Sequence, residues 1–284
     1  MSVASSSAGA AVRNSGPLIV KIGGTTLENQ ATQNDLWRSL VALSKSHAGG
    51  LILVHGGGKA VDRLMDRLGI KPARVQGLRV TPDDQIPEIV GVLAGTVNKS
   101  LVGCIQRAGG KGVGLSLGDG GMLTCRKVAP LATDSGPADL GRVGEVTGGS
   151  AELARTLIGS GFIPVLCSIG LDEAGQPLNL NADDAAAGLA RALKASALVL
   201  LTDVEGIKDK AGNLIPHVTP ADIERLIVSG DIYGGMIPKT RAAAKVASET
   251  GSEVVILSGD RPEHLLRWTR GEPAGTRISG KSPL

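Results

Sequence analysis

Six short runs of the chain are apolar almost without interruption: residues 18–22, 51–54, 113–117, 163–167, 198–202 and 254–257. A strand open to water on one face alternates apolar with polar residues; a strand covered on both faces does not. These runs therefore predict interior strands of a mostly parallel sheet. Between them the apolar period lengthens to three or four. The clearest case is 82–108, where Ile86, Ile89, Val90, Leu93, Val97, Leu101 and Ile105 fall on one helical face. Its start is marked by Thr81 as a candidate cap, Pro82 at the first helical position, and Asp83 and Asp84 against the positive helix end. Alternating strand and helix predicts an α/β fold, a three-layer α/β/α sandwich with a mostly parallel central sheet. The stretch 119–148 is richer in Gly, Thr and charge and reads as β-hairpins on the rim. No segment there has linker composition, so one fold with two lobes, 18–178 and 179–284, is expected, with a functional cleft between them. Residues 1–17 are small and polar and read as a disordered tail.

Composition changes this picture mainly by exclusion. The formal charge is +3 over 284 residues, with Lys and Arg scattered, and aromatic residues make up 1%. A chain with neither a basic block nor a stacking platform is a poor nucleic-acid binder, so no nucleic-acid partner is expected. No uninterrupted apolar stretch approaches the roughly 18 residues of a membrane span, and no membrane partner is expected. Cys104, Cys125 and Cys167 are odd in number and far apart. That fits neither a disulfide framework nor a paired zinc site and points to a reducing cytoplasm.

Candidate chemistry gathers where strands end in glycine. "VKIGGTTL" carries Lys21 inside a strand and Gly23–Gly24 after it; "VHGGGKAVDRLM" follows His55 with three glycines, Gly56 to Gly58. In parallel sheets anions meet backbone amides at the carboxyl ends of strands, and glycine lets them approach. Tight turns are the plainer alternative. The second loop is no Walker A motif, since Leu53 stands in place of the first glycine and Ala60 in place of the magnesium-binding hydroxyl. In "LNLNADDAAAGLARAL", Asn179, Asn181 and Asp183 alternate just before an Ala-rich helix, so they face a common space, or Asp183 simply caps that helix. In "YGGMIPKTRAAAKVA", Lys239 occupies the first turn of a helix, where a cation opposes the dipole unless an anion lies nearby. Arg79 is a fork for a carboxylate, or an exposed charge bridging to Asp83.

Taken in order, "VKIGG", "LVHGGGKAVDRLM", "GLRVTPDDQI", "LAGTVNK", "VGLSLGDG", "GRVGEV", "IPVLCSIG", "LNLNADDAA", "LLTDVEGI", "GGMIPK" and "GTRI" resemble the acetylglutamate kinase branch of the amino acid kinase family across residues 18–278. The wording around Arg79, "SLGDG" and "GTRI" is closest to its compact, arginine-insensitive type. The resemblance implies an N-terminal lobe for N-acetyl-L-glutamate, a C-terminal lobe for ATP with Mg2+ held mainly by the phosphates, no protein metal ligands, and a homodimer; the apolar face of the helix at 82–108 is either its seam or part of the core. It also implies roles. Lys21 and Lys239 stabilise the transferring phosphoryl group and Asp183 orients them. Gly57, Gly58, Arg79 and Asn179 bind substrate; Gly23, Gly24, Asp203, Gly206, Ile207 and Lys208 border the nucleotide. Thr25-Thr26, Ile22 and Tyr233 depart from the commonest family choices. A carboxylate nucleophile is already ionised at neutral pH, so no general base is required. His55 then reads as a loop-fixing residue and Lys59 as a solvated one. A kinase for carrier-bound aminoadipate or aspartate, and a non-catalytic amino-acid sensor, are the alternatives on the same fold.

Overall fold

The computed structural model describes residues 16–28 and 30–280. Its centre is an eight-stranded sheet. In chain order the strands are β1 (Leu18–Ile22), β2 (Leu51–His55), β3 (Gly112–Ser116), β4 (Ile163–Cys167), β5 (Ala197–Thr202), β6 (His217–Val218), β7 (Glu253–Ser258) and β8 (Thr276–Ile278). They lie side by side as β6-β8-β7-β5-β1-β2-β4-β3. All six apolar runs are present, and β1, β2, β4 and β5 are buried along their whole length, as two-sided coverage requires. The two strands that the pattern did not announce are β6 and β8. They have two and three residues, too few for any periodicity to register, and β8 runs antiparallel to β7.

Helices cover both faces. Leu18, Val20 and Ile22 of β1 pack in a cluster with Leu36 and Leu40 of the helix Gln30–Ser46, Leu101 and Ile105 of Asn98–Arg107, and Leu265 and Trp268 of Pro262–Thr269. Ile19 packs on the opposite face with Ala186 and Leu189 of Ala182–Leu193 and Ala243 and Val246 of Met236–Thr250. Side chains alternate along a strand, so Lys21 shares the Ile19 face and looks toward the start of Ala182–Leu193. A second, four-stranded sheet orders Ile169–Leu171, Pro177–Leu180, Val143–Gly148 and Thr124–Lys127. With the small hairpin Leu131–Thr133/Gly136–Ala138, it supplies the expected rim.

Several expectations are corrected. Thr81 does not cap the long helix. Its hydroxyl donates to Arg79 O and accepts from Asn179, and no side chain caps the first turn at Asp83. That helix is 3-10 over Asp83–Gln85, α over Ile86–Val90, π over Gly91–Val97 and α again over Asn98–Arg107. Running continuously for 25 residues with a mean hydropathy of 1.3 in its most apolar window, it does reach the length and composition of a membrane span. Its apolar residues are dispersed among Gly, Ala and Thr, which hid this in the sequence. Ile89 and Leu93 pack against Val61 and Met65, and Leu101 and Ile105 against the main sheet, so it is an integral helix of this fold. The tail expected at 1–17 lies outside the described residues through position 15. Gly16 and Pro17 are pinned, however: His47 Nε2 is 3.2 Å from Gly16 O, and Ser196 N and Oγ both donate to Pro17 O.

The order of strands divides the sheet cleanly. One half, β1-β2-β4-β3, comes from the N-terminal stretch and the other, β5 to β8, from the C-terminal stretch; they meet where β1 pairs with β5. The boundary expected between 178 and 179 falls inside the strand Pro177–Leu180, whose partners are both N-terminal.

Candidate active site

Chain order reverses at β1, and in an open parallel sheet such a switch point opens a crevice at the carboxyl ends of the strands. Two cavities lie at that end. The first, about 230 Å³, is lined by Lys21, Gly57, Gly58, Arg79, Asn179 and Asp183 among others. The second, about 1270 Å³, is lined entirely from residues 203–261, including Asp203, Gly206, Tyr233 and Lys239.

Lys21 is 8% exposed, and its Nζ lies 2.8 Å from Asp183 Oδ1, an ion pair lacking the alignment of a hydrogen bond. Lys239 Nζ donates to Thr202 Oγ1 at 2.7 Å, and Thr202 Oγ1 donates to Asp203 Oδ1 at 2.9 Å. The register explains why these groups meet. Lys21 pairs with Leu200, and Thr202, two residues on, shares the Leu200 face. Burial depresses the Lys239 pKa; the Asp183 carboxylate pushes it back up, the Lys21 ammonium lowers it, and Asp203 raises it. Lys239, which lines the second cavity, thus feels both members of the ion pair that lines the first. Asp183 does not cap its helix. Asn181 does, accepting from the amides of Asp183 and Asp184, which leaves the Asp183 carboxylate to the lysine.

The triple-glycine loop is held from behind. His55 is fully buried, its Nδ1–H donates to Gly56 O at 2.8 Å, and Asn98 Nδ2 donates to His55 Nε2 at 3.0 Å and to Val165 O at 2.8 Å. Gly57 is closely packed: a Cβ there would stand 2.7 Å from Leu93 Cδ2 in the π segment, and that side chain would have to shift. The helix Gly58–Arg67 begins here without a side-chain cap, and first-turn amides have no intrahelical acceptor. Its N-terminus therefore faces the first cavity as an anion seat. Lys59 is exposed.

Burial lowers the His55 pKa from 6.5 to about 4, opposed by its bond to Gly56. The folded state then resists a proton that the unfolded chain accepts. The stabilisation is complete above pH 6.5 and is lost as pH falls toward 4, by roughly 3 kcal/mol in total. Urea unfolding at pH 7, 5.5 and 4.5 is expected to show the wild type losing its margin over His55→Asn. A margin independent of pH would count against a buried neutral imidazole.

Arg79, expected as an exposed charge or a partner of Asp83 if it is not a substrate fork, is buried and pairs with Asp62 instead; Asp83 lies near Arg142. Arg79 Nη2 also donates to Gly58 O at 3.2 Å, while its Nη1 is buried without a partner among the described residues. Asn179 Nδ2 donates to Thr81 Oγ1 at 3.1 Å.

Of the residues expected at the nucleotide, Asp203, Gly206, Ile207 and Lys208 line the second cavity. The Ile207 amide is already given to Thr276 Oγ1, and Lys208 pairs with Glu205. Gly24 lines the first cavity instead; Gly23 lines neither, because its amide extends the sheet by donating to Leu201 O. The stretch from Thr202 was expected to border the nucleotide, and Thr202 holds Lys239 there. Sequence reasoning missed Asp62 and Arg74, which become visible only once a helix and a hairpin are folded together.

The amino acid kinase family profile matches residues 16–258. The chain belongs to the amino acid kinase family. Acetylglutamate kinases from Yersinia pestis (strain Pestoides F) and Yersinia pseudotuberculosis (serotype O:3, strain YPIII) are each 41% identical over 263 residues, 93% of this chain and 98% of theirs. Among solved structures, an N-acetylglutamate synthase from Neisseria gonorrhoeae complexed with coenzyme A and N-acetyl-glutamate superposes with a TM-score of 0.79 at 27% identity. The match covers 95% of this chain but only 61% of that longer protein. Carbamate kinase from Giardia lamblia bound to AMP-PNP, at 17% identity, a TM-score of 0.62 and coverage of 94% and 99%, shares the amino acid kinase fold.

Proposed function

We propose that this amino acid kinase transfers the γ-phosphoryl group of ATP to the side-chain carboxylate of N-acetyl-L-glutamate, giving N-acetyl-L-glutamyl 5-phosphate for arginine biosynthesis. The observation that carries the reading is the charge constellation Lys21–Asp183–Lys239, its ion pair lining the first cavity and Lys239 the second. The curated relatives at 41% identity over nearly the whole chain support the same substrate. The small cavity, with Arg79, Asn179 and the Gly57–Gly58 amides, takes the acetylglutamate; the large one takes the nucleotide.

The chemistry is electrostatic. The attacking carboxylate oxygen is ionised without help, and the obstacle is bringing one anion against another. Lys21 and Lys239 neutralise charge as it spreads over the transferring group, Asp183 fixes the lysine geometry, and the glycine amides stabilise by position. Magnesium supplies charge neutralisation on the ATP phosphates. The hard oxygens of Asp183 and Asp203 suit its water shell, and the ion seldom uses an all-protein cage. Buried unpaired cysteines suit a reducing cytoplasm. We also infer a homodimer of the arginine-insensitive type; the apolar face of the helix at 82–108, weighed as its seam, is core instead.

Incubation with ATP, Mg2+ and acetylglutamate in hydroxylamine is expected to yield the trapped hydroxamate. Folded protein that binds both ligands in calorimetry without forming it would make the chain a sensor. A higher kcat/KM for aspartate or carrier-bound aminoadipate would reassign the substrate. Arg79→Ala removes the fork and is expected to raise the acetylglutamate KM by about tenfold or more, the scale of a lost charge-assisted hydrogen bond, with the ATP KM little changed. An unchanged acetylglutamate KM would remove Arg79 from the substrate site.

A further inference from the structure

Beside the glycine loop a short hairpin places two arginines face to face. The strands Arg74–Val75 and Leu78–Arg79 are joined by Gln76 and Gly77, both at positive φ (48° and 83°), a two-residue turn that matches strand twist. The register sets Arg74 directly opposite Arg79. Like charges in that relation repel. What holds them is Asp62, one turn into the helix Gly58–Arg67. Its Oδ1 and Oδ2 accept from Arg74 Nη2 at 3.2 and 2.9 Å, and Oδ1 also accepts from Arg79 Nη2. Both arginines line the first cavity.

The burial of the three groups differs in a telling way. The Arg79 side chain is 7% exposed, Asp62 36% and Arg74 44%. Arg79 is thus the inner end of a chain of charges running from solvent into the cavity. With Nη2 committed to Asp62 and Gly58 O, its guanidinium plane is fixed, and Nη1 remains buried with a donor unspent. A buried donor without a partner costs free energy that an incoming acceptor recovers.

We propose that Asp62 is a positioning residue of the substrate site: it holds Arg79 so that Nη1 receives the carboxylate of acetylglutamate that is not phosphorylated, and Arg74 acts only by clamping Asp62. This rests on the substrate assigned above. Asp62 serves two ends at once, since it cancels the repulsion between the paired arginines and aims the inner one. A neutral amide in its place keeps the shape and loses the charge that does both.

The test is steady-state kinetics on the full chain with Asp62→Asn, Arg74→Gln and the double variant, varying acetylglutamate and ATP separately. Asp62→Asn is expected to raise the acetylglutamate KM about tenfold, with kcat and the ATP KM within about twofold. Arg74→Gln is expected to raise it about threefold, and the double variant to be no worse than Asp62→Asn alone, because a residue acting through another is not additive with it. An unchanged acetylglutamate KM in Asp62→Asn would overturn the proposal. So would equal increases in both KM values with a lowered Tm, which indicate general loosening. Multiplying effects in the double variant would overturn the role given to Arg74 by showing that it meets substrate itself. A wild type without hydroxamate formation would instead remove the substrate assignment, a distinct outcome.

Discussion

Lys21→Ala is expected to lower kcat by about 100-fold or more, the scale of losing one electrostatic donor to a transition state. The side chain projects from near the carboxyl end of a buried strand into the first cavity, so truncation leaves the β1 pairing with β2 and β5 intact. Its amine is held 2.8 Å from Asp183, so charge reaches the reacting centre already oriented. The acetylglutamate KM should change far less than kcat, because the proposed function assigns the ground state to Arg79, Asn179 and the glycine loop. Initial rates of hydroxamate formation over both substrates separate the two. Retention of more than a tenth of kcat would exclude Lys21 from the transition-state contacts.

The second large effect is expected from Asp183→Asn. Asp183 pairs with Lys21 and acts on Lys239, and three changes follow from neutralising it: Lys21 loses its anchor, repulsion between the lysines is unopposed, and Lys239 loses the largest influence that keeps it protonated. Burial already pulls the Lys239 pKa below that of a free lysine, and Asp183 raises it. Without the carboxylate that pKa falls further, so the alkaline limb of the kcat profile moves to lower pH, alongside a loss in kcat of about 10- to 100-fold at pH 7. A pH–rate profile of the variant checks the direction. A limb that stays put, or moves up, would mean that Lys239 does not titrate in the reaction.

These two variants bear on roles that the primary structure suggests one by one and the fold joins. Lys21, Asp183 and Lys239 are spread over more than 200 positions, yet their types and local contexts are readable: a lysine in an apolar strand, an acid at a helix start, a cation where a dipole disfavours it. Which of the acids and amides near 180 caps the helix was not readable. Asn181 and Asp183 are both competent, and only the extended backbone of Asn181 decides for it, freeing Asp183. The partner of Arg79 was misjudged for a similar reason. Asp83 is close in sequence, but the hairpin turn at Gln76–Gly77 directs Arg79 toward Asp62 across the glycine loop.

The amino-acid order was enough to read the interior of this protein: five strands covered on both faces, a sixth that the structure leaves half-buried at the sheet edge, the helices between them, the rim hairpins and the glycine loops at strand ends. Those features follow from burial and backbone freedom, which act over a few neighbouring residues and so leave a local pattern. Only the three-dimensional fold set the pairing of β1 with β5, which puts Thr202 on the same face as Lys21, the close fit of Leu93 over Gly57, the short antiparallel edge, and the sharing of Asp62 by two arginines. Each of these is a contact between distant segments, set by register and charge in three dimensions, and a one-dimensional pattern carries no trace of either.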